Sequence, residues 1–468
     1  MRRLRPAHPL PSRQHRPLPQ RTSGEDSDLE TMTGPVSVLH LTAHLGGGVG
    51  KALSGLILNT PPQGGIRHAI ACLERPEKTQ FVDPLIASGC PVAIAPDPKT
   101  LARMIEEADV VQLEWWGHPA PMVALCAGPM PAMRLVLWCH VSGIHTPVIP
   151  QGLIRSAHRC LFTSPCTYEA PEVVRLSLDQ KSRLGVVHSA GGFEGLQPPV
   201  RQIDDTLVAG YLGSLNFAKL HPDYVEFLTA VQGTDFRVRV IGDETNRDIL
   251  EQQCRDAGRP GMLEFRGYRT DIASELAAIN VFPYLLNPLH YGTSENALLE
   301  AMAMEVVPIV LDNLAERCLV RERETGLFVR DPREFGEAVD WLARHPQERL
   351  RLGRQAAATV RDRFSVQRAV AAFERLYREA RDEEKRNVDF NALFGQRPSE
   401  WFLTTQRLPE IFAPDGTVSL GMLSAMTLPG LLERTKGTVF HYAAYFPEDL
   451  LLKQWADRLG NVNPDRDR

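Results

Sequence analysis

From Pro35 onward the chain alternates short apolar runs with longer stretches in which apolar residues recur every three or four positions. Seven runs, "VSVLHL", "RHAIACL", "PVAIAP", "DVVQLE", "RLVLWCH", "RCLFTS" and "RLGVVH", are rich in Val, Ile and Leu and predict strands. Helical patterns such as "TLARMIEEA", Thr100 to Ala108, stand between them. Near-continuous apolar strands joined by helices predict parallel sheet covered on both faces. Glycine and proline then interrupt the pattern over "SAGGFEGLQPPVRQIDD", Ser189 to Asp205, which reads as a linker.

A second series follows, with "LVAGYLG", "FRVRVIGD", "LEFRGY", "VFPYL", "VPIVLD" and "GLFV" as strands and "HPDYVEFLTAV" and "SENALLEAMAM" as helices. The expected architecture is α/β, with two doubly wound parallel-sheet, Rossmann-like domains and a C-terminal extension. The first domain spans 34–195, the linker 196–206 and the second domain 207–386, closed by helices from Asp331 to about Arg386. Ligands in such sheets bind beyond the carboxyl ends of the strands, so the cleft between the two sheets is the expected site. Residues 387–468 carry no repeat and no motif. Their "EDLLLKQWADRLG" puts Leu451, Trp455 and Leu459 on one helical stripe, which predicts core packing, since a membrane-surface helix would be more basic.

The stretch "HLTAHLGGGVGKAL", His40 to Leu53, is a strand, a glycine-rich turn and a lysine ahead of a helix. A P-loop needs G-x-x-x-x-G-K-[ST], so that amides cradle phosphates and a hydroxyl holds magnesium. Here Leu45 takes the leading glycine position and Ala52 the hydroxyl position, and alanine cannot ligate a metal. ATP hydrolysis is therefore disfavoured. A tight packing turn, or a glycine loop whose amides at Gly47 and Gly48 face a ligand, with Lys51 an accessory charge, remain.

The densest chemical signal is "HYGTSENALLEAMAMEVVPIVLD", His290 to Asp312. Thr293 or Ser294 is placed to cap a helix beginning near Glu295. Glu300 lies off the apolar stripe of Leu298, Ala301 and Met302. A carboxylate near a helix start suits the hydroxyls of a ribose or sugar, whereas the commoner fate of a helical glutamate is solvation.

Composition narrows the field. A net charge of -5, from 52 Lys and Arg against 57 Asp and Glu, argues against a general nucleic-acid binder. Eight scattered cysteines form no C-x-x-C pair, so free thiols in a reducing cytoplasm are expected, with no metal site. No apolar stretch approaches the ~20 residues of a membrane span. Residues 1–33 hold arginines and prolines but no signal-peptide core. They read as a disordered tail or an over-long start, Met32 standing just ahead of the first strand.

At "LLEAMAMEVVPIV", Leu298 to Val310, the sequence resembles the retaining glycosyltransferases of family 4, the glycosyl transferases group 1 with a GT-B fold, whose hallmark runs E-G-F-G-x-x-x-L-E-A-M-A-x-G-x-P-V-V. "YLGSLNFAKLHPDYVEFL", "VRVIGDE" and "FRGYRTDIASELAAINVFPYL" match the family's phosphate loop, the strand before the base pocket and the stretch near the nucleotide base, in order. The resemblance covers about Pro35 to Arg386 and implies transfer of a sugar from a nucleotide-diphosphate sugar to a hydroxyl with retention. That donor is a substrate, and no cofactor is implied.

The resemblance also implies roles. Lys219 would neutralise the donor diphosphate and Glu300 hold the ribose hydroxyls. Gly213, Ser214, Gly242, Gly267, Tyr268 and Asn296 would complete the donor site. Gly47 and Gly48 would bring backbone close from the opposite domain. His140 falls where the family has a histidine near the transferred sugar, although a histidine at a strand end is more often structural. Glu114 is a candidate acceptor contact, and Trp115 and Trp116 candidate stacking surfaces.

Three departures stand out. The family's first glutamate would be Gly292, with Glu295, three residues on, as the candidate catalytic substitute. The arginine after the phosphate-loop glycine is Ser214, and "NPLHY" lengthens the link ahead of Gly292, with His290 and Tyr291 as replacement contacts. The acceptor is left open among saccharides, lipid-linked saccharides and small molecules, as is peripheral membrane contact. A non-catalytic nucleotide-sugar binder and a sugar-nucleotide epimerase are the alternatives. A phosphorylase would need a lysine for pyridoxal phosphate and a longer chain.

Overall fold

The computed structural model describes residues 34–462, apart from 190, 191, 194, 204, 234, 422 and 425. The expected tail over 1–33 lies outside these residues. The first seven strands are β1 Val36–Thr42, β2 Ile66–Cys72, β3 Val92–Ile94, β4 Val110–Trp115, β5 Leu135–Cys139, β6 Arg159–Phe162 and β7 Leu184–Val186. They form one parallel sheet in the order β3-β2-β1-β4-β5-β6-β7. The next six are β8 Ala209–Leu212, β9 Val238–Ile241, β10 Leu263–Gly267, β11 Val281–Tyr284, β12 Val307–Leu311 and β13 Leu327–Val329. These form a second parallel sheet, β10-β9-β8-β11-β12-β13. Each of the thirteen runs read from the apolar pattern is a strand. Strand order reverses beside β1 in one sheet and beside β8 in the other, and these switch points are where such sheets open a crevice.

Period-two alternation explains how the first sheet is covered. Val36, Val38, Val110, Val136 and Trp138 face one buried layer, and Leu39, Leu41, Leu113, Leu135 and Leu137 face the other. The first layer corrects the expectation that all helices to Arg386 close the second domain. Helices Pro332–Arg344 and Pro346–Arg363 do pack on the second sheet, through Phe335, Val339, Leu352 and Val360. Helix Val366–Arg381 returns to the first, burying Val366, Val370, Phe373 and Tyr377 against it. Phe373 meets Trp138 edge-on, with ring centroids 4.8 Å apart.

The opposite layer is finished by the extension. Phe390, Phe394, Trp401, Phe402, Tyr442, Leu452, Trp455 and Leu459 join the core of the first sheet. Phe394 stacks on Trp115 at 5.7 Å, so Trp115 is a core residue with no face for a sugar. The stripe on helix Leu450–Gly460 packs inward as expected, with Leu452 taking the deep position and Leu451 only half-buried. From Val36 on, the chain clusters as one compact unit.

Phe373→Ala should cost about 3–5 kcal/mol, the range for removing a buried aromatic, read from urea denaturation of the whole protein. A loss under about 1 kcal/mol would mean that this helix is not part of the first core.

Candidate active site

β1 ends at Thr42, and the turn His44–Gly46 leads into helix Gly47–Asn59, whose N-terminus has no side-chain cap and no acidic residue in its first turn. Two of its glycines are structurally required. Gly47 has φ +59, and a Cβ on Gly50 would stand 2.5 Å from the backbone of Leu45. Gly48 sits at the cleft, where a Cβ would be 3.2 Å from Asn296 Nδ2 of the second half. Lys51 is not left to meet a phosphate at the loop, as a P-loop lysine is. Its Nζ donates to the Glu300 carboxylate across the cleft.

The segment Tyr291–Ser294 is stitched to the first sheet. Ser142 N–H donates to Tyr291 O at 2.9 Å, Thr163 Oγ1 donates to Thr293 Oγ1 at 2.7 Å, and Ser294 Oγ donates to Thr163 O at 2.9 Å. Thr293 and Ser294 are thereby committed to the opposite half, and neither caps the helix. Helix Asn296–Ala303 instead begins after Glu295, which lies in the left-handed region at φ 33 with no capping side chain. Such backbone costs of order 1–3 kcal/mol in a non-glycine residue and persists only where side-chain contacts enforce it.

Those contacts are present. The buried Glu295 carboxylate accepts from Tyr284 O–H at 2.5 Å and pairs with Lys219 Nζ at 2.9 Å. Burial alone would raise its pKa, but Lys219, His290 and the Tyr284 hydroxyl outweigh that and hold it below the usual glutamate value of 4.5. Burial likewise opposes the Lys219 ammonium, and the paired Glu295 carboxylate outweighs it, raising the Lys219 pKa. Glu295 Oε1 occupies the space of a side chain at 292, since a Cβ there would lie 1.7 Å from it. Gly292 and Glu295 are thus linked: the carboxylate missing from one position fills its volume from the other. His290 adds to this layer, with Nδ1 accepting from Gly292 N–H at 3.0 Å and Nε2 facing Glu316 at 3.2 Å.

On the first sheet, Glu114, next to last in β4, has no exposed surface. It binds His140 Nε2 at 2.8 Å, Gln112 Nε2 at 2.8 Å and His40 Nδ1 at 3.4 Å. Burial raises its pKa and the hydrogen bonds from His140 and His40 outweigh it, leaving the carboxyl below its ordinary value. This corrects the expected acceptor role. Glu114 does not reach the cleft, and it holds the His140 ring, which does.

A cavity of about 710 Å³ fills the cleft. Of the residues proposed from sequence, Gly48, His140, Ser214, Lys219, Glu295 and Asn296 line it, as do Trp116 and Tyr291. Gly47, Lys51, Glu114 and Glu300 do not, nor do Gly213, Gly242, Gly267 and Tyr268. Gly213, Gly242 and Gly267 knit strand ends together, through Gly213 N–H to Ile241 O at 3.0 Å and Gly242 N–H to Gly267 O at 3.1 Å. A Cβ on Gly242 would lie 2.0 Å from Gly213 O. Tyr268 is exposed beneath Lys78 Nζ of the first half, 4.2 Å from its ring centroid. Sequence reasoning missed His44, Asn216 and Lys436, whose Nζ stands 3.0 Å from His44 Nε2, and above all the wall supplied by the extension. The one available signal was the aromatic density of "SEWFLTTQRLPEIF" and "VFHYAAYF", unusual for a solvated tail.

Residues 206–345 match the family described as glycosyl transferases group 1. HepE from Anabaena, solved in complex with UDP, superposes with a TM-score of 0.58 at 16% identity, over 73% of this chain and 99% of that one. The fold is GT-B. A lipopolysaccharide core biosynthesis glycosyltransferase, LpsE of Rhizobium meliloti, is 27% identical over 136 residues, 29% of this chain. The D-rhamnosyltransferase WbpZ of Pseudomonas aeruginosa is 32% identical over 148 residues, 30% of this chain. The matched regions span 39% and 37% of those two curated relatives. In this GT-B frame, the second sheet with Lys219 and helix Asn296–Ala303 corresponds to the matched segment, and the extension lies outside it. No helix among the described residues is long and apolar enough to cross a membrane.

Glu295→Gln should lower stability by about 3 kcal/mol at about pH 7, where a buried pair loses one partner. Because the Glu295 pKa is depressed on folding, its contribution is present above the unfolded value of 4.5 and is lost as pH falls through the folded value. The gap between wild type and variant in urea denaturation should therefore shrink on acidification. A gap that is constant or widens toward acid would contradict the pairing.

Proposed function

We propose that the protein is a glycosyltransferase that moves a sugar from a nucleoside-diphosphate sugar to an acceptor hydroxyl, with retention at the anomeric carbon. The observation that carries this reading is a single cavity at the switch points of both sheets. It brings Lys219 and the start of helix Asn296–Ala303 opposite His140 and the uncapped helix N-terminus at Gly48. The group 1 match over the second sheet and the UDP held by the HepE structure support it.

In this reading the Lys219 ammonium and the amides near Asn296 neutralise the diphosphate as the bond from C1 to the phosphate oxygen breaks. The acceptor oxygen bonds C1 on the same face, and its proton passes to the departing phosphate oxygen, so no separate base is required. Glu295 holds Lys219 charged and aimed, and its second oxygen, over Gly292, is where a sugar hydroxyl would be met. Glu300 takes the ribose hydroxyls, and Lys51 moves aside or shares the carboxylate. Gly213, Ser214, Gly242, Gly267 and Tyr268 shape the loops around base and phosphates. His140, fixed by Glu114, faces the transferred sugar. The proposed chemistry calls for no cofactor beyond the donor substrate, and the reading is of a cytoplasmic enzyme.

The test is thermal-shift titration with UDP, GDP, ADP, dTDP and Mg-ATP, on wild type, Lys219→Ala and Lys51→Ala. One nucleoside diphosphate should raise the melting temperature of wild type, with the rise lost in folded Lys219→Ala. Stabilisation by Mg-ATP alone, lost in Lys51→Ala, would overturn the reading in favour of a P-loop.

A further inference from the structure

The cavity has two chemically different sides. The donor side presents Ser214, Asn216, Lys219, Glu295 and Asn296, all polar. The opposite wall comes from the extension and is aliphatic or aromatic along much of its length, through Leu408, Ile411, Phe412, Leu423, Met426 and Leu431. Leu408, Leu423, Met426 and Leu431 are only partly buried, so they keep surface turned to the cavity.

This wall is fixed in place from both halves. The Arg407 guanidinium donates to Gly143 O, to Ile144 O at 3.0 Å and to both Glu172 oxygens at 2.8 Å, tying the extension to the first sheet. Glu433 accepts from Phe217 N–H at 2.6 Å and Asn246 Nδ2 at 2.7 Å, tying it to the phosphate loop of the second. Gly430 lies against that loop, where a Cβ would be 3.3 Å from Ala218 Cα, beside Lys219. The apolar wall is therefore held directly against the group proposed to bind the diphosphate.

A saccharide alone has little use for such a wall. Sugars are held by polar groups and aromatic faces, and aliphatic side chains offer neither donors nor acceptors. An apolar wall exposed to a cavity is matched by apolar surface on the occupant. Resting on the transferase reading, we propose that the extension makes the cleft an acceptor site for an amphiphile: a hydroxyl-bearing head near His140 and Lys219, and an alkyl or isoprenoid chain along Leu408, Leu423, Met426 and Leu431. The acceptor is thereby narrowed from any hydroxyl compound to one with a hydrocarbon segment joined to its reacting head.

The experiment titrates the full-length protein with methyl, hexyl and octyl glucoside, each below micelle formation, by calorimetry. Burying a methylene is worth roughly a fourfold gain in affinity, so methyl to octyl should gain at least about tenfold even with partial burial. Leu423→Asn and Leu431→Asn, made separately so that one misfolded variant leaves the other, should each cut octyl affinity about fivefold and leave methyl affinity unchanged. Affinity independent of chain length, or a chain-length gain untouched in the folded variants, would overturn the proposal. The panel of UDP, GDP, ADP and dTDP is run on the same samples. A nucleotide-induced shift without a chain-length gain would sink the acceptor assignment alone, and a chain-length gain with no nucleotide shift would sink the transferase reading beneath it.

Discussion

The cleft depends on one buried ion pair, Lys219 with Glu295. A carboxylate with almost no solvent must be compensated, and leaving it unpaired would cost several kcal/mol. That requirement pulls the Lys219 loop toward the helix start and keeps residue 295 in left-handed backbone. It also dictates glycine at 292, because the carboxylate occupies the space of a side chain there. With Glu295 turned inward to Lys219 and Tyr284, the segment before it is free to present Thr293 and Ser294 to the first sheet. The placement of the cation, the form of the turn and the seam between the halves are consequences of the same pairing.

Around that seam the chain is exchanged between its halves. The second series of strands ends in a helix that finishes the core of the first, and the extension then covers the other face of that sheet and reaches the Lys219 loop of the second. Lys51 with Glu300, Lys78 with Tyr268 and the threonine pair bridge the cleft directly. Partly buried cross-cleft contacts of this kind can rearrange when a ligand competes for one partner. Glu300, paired with Lys51 here, is the contact a ribose would have to win.

The strands were legible because parallel sheet demands continuous apolar runs, a local property of sequence. The glycine turn was legible for a similar reason, as Gly47 and Gly50 answer to backbone geometry within a few residues. The role of Glu114 was not. It looks like an accessible carboxylate at a strand end, and it is consumed by His140, 26 residues on, and by His40 from a neighbouring strand. The pairing of Glu300 with Lys51, from the opposite half, was equally out of reach of local sequence. Capping by Thr293 or Ser294 was a sound local expectation overridden by partners at Thr163. The extension was opaque for the opposite reason: its apolar residues are spaced to fit a surface already formed by the first sheet, so no single period describes them.

The proposed transfer of a sugar with retention, in the site these halves enclose, is decided by the anomeric configuration of the product. The protein would be incubated with the donor whose diphosphate it binds and with octyl glucoside as acceptor, and the one-bond carbon–hydrogen coupling at the new anomeric centre read by NMR. A glycosylated acceptor whose new linkage has the donor's anomeric configuration is expected. An inverted linkage, or a nucleotide sugar returned epimerised and untransferred by folded protein, would contradict it.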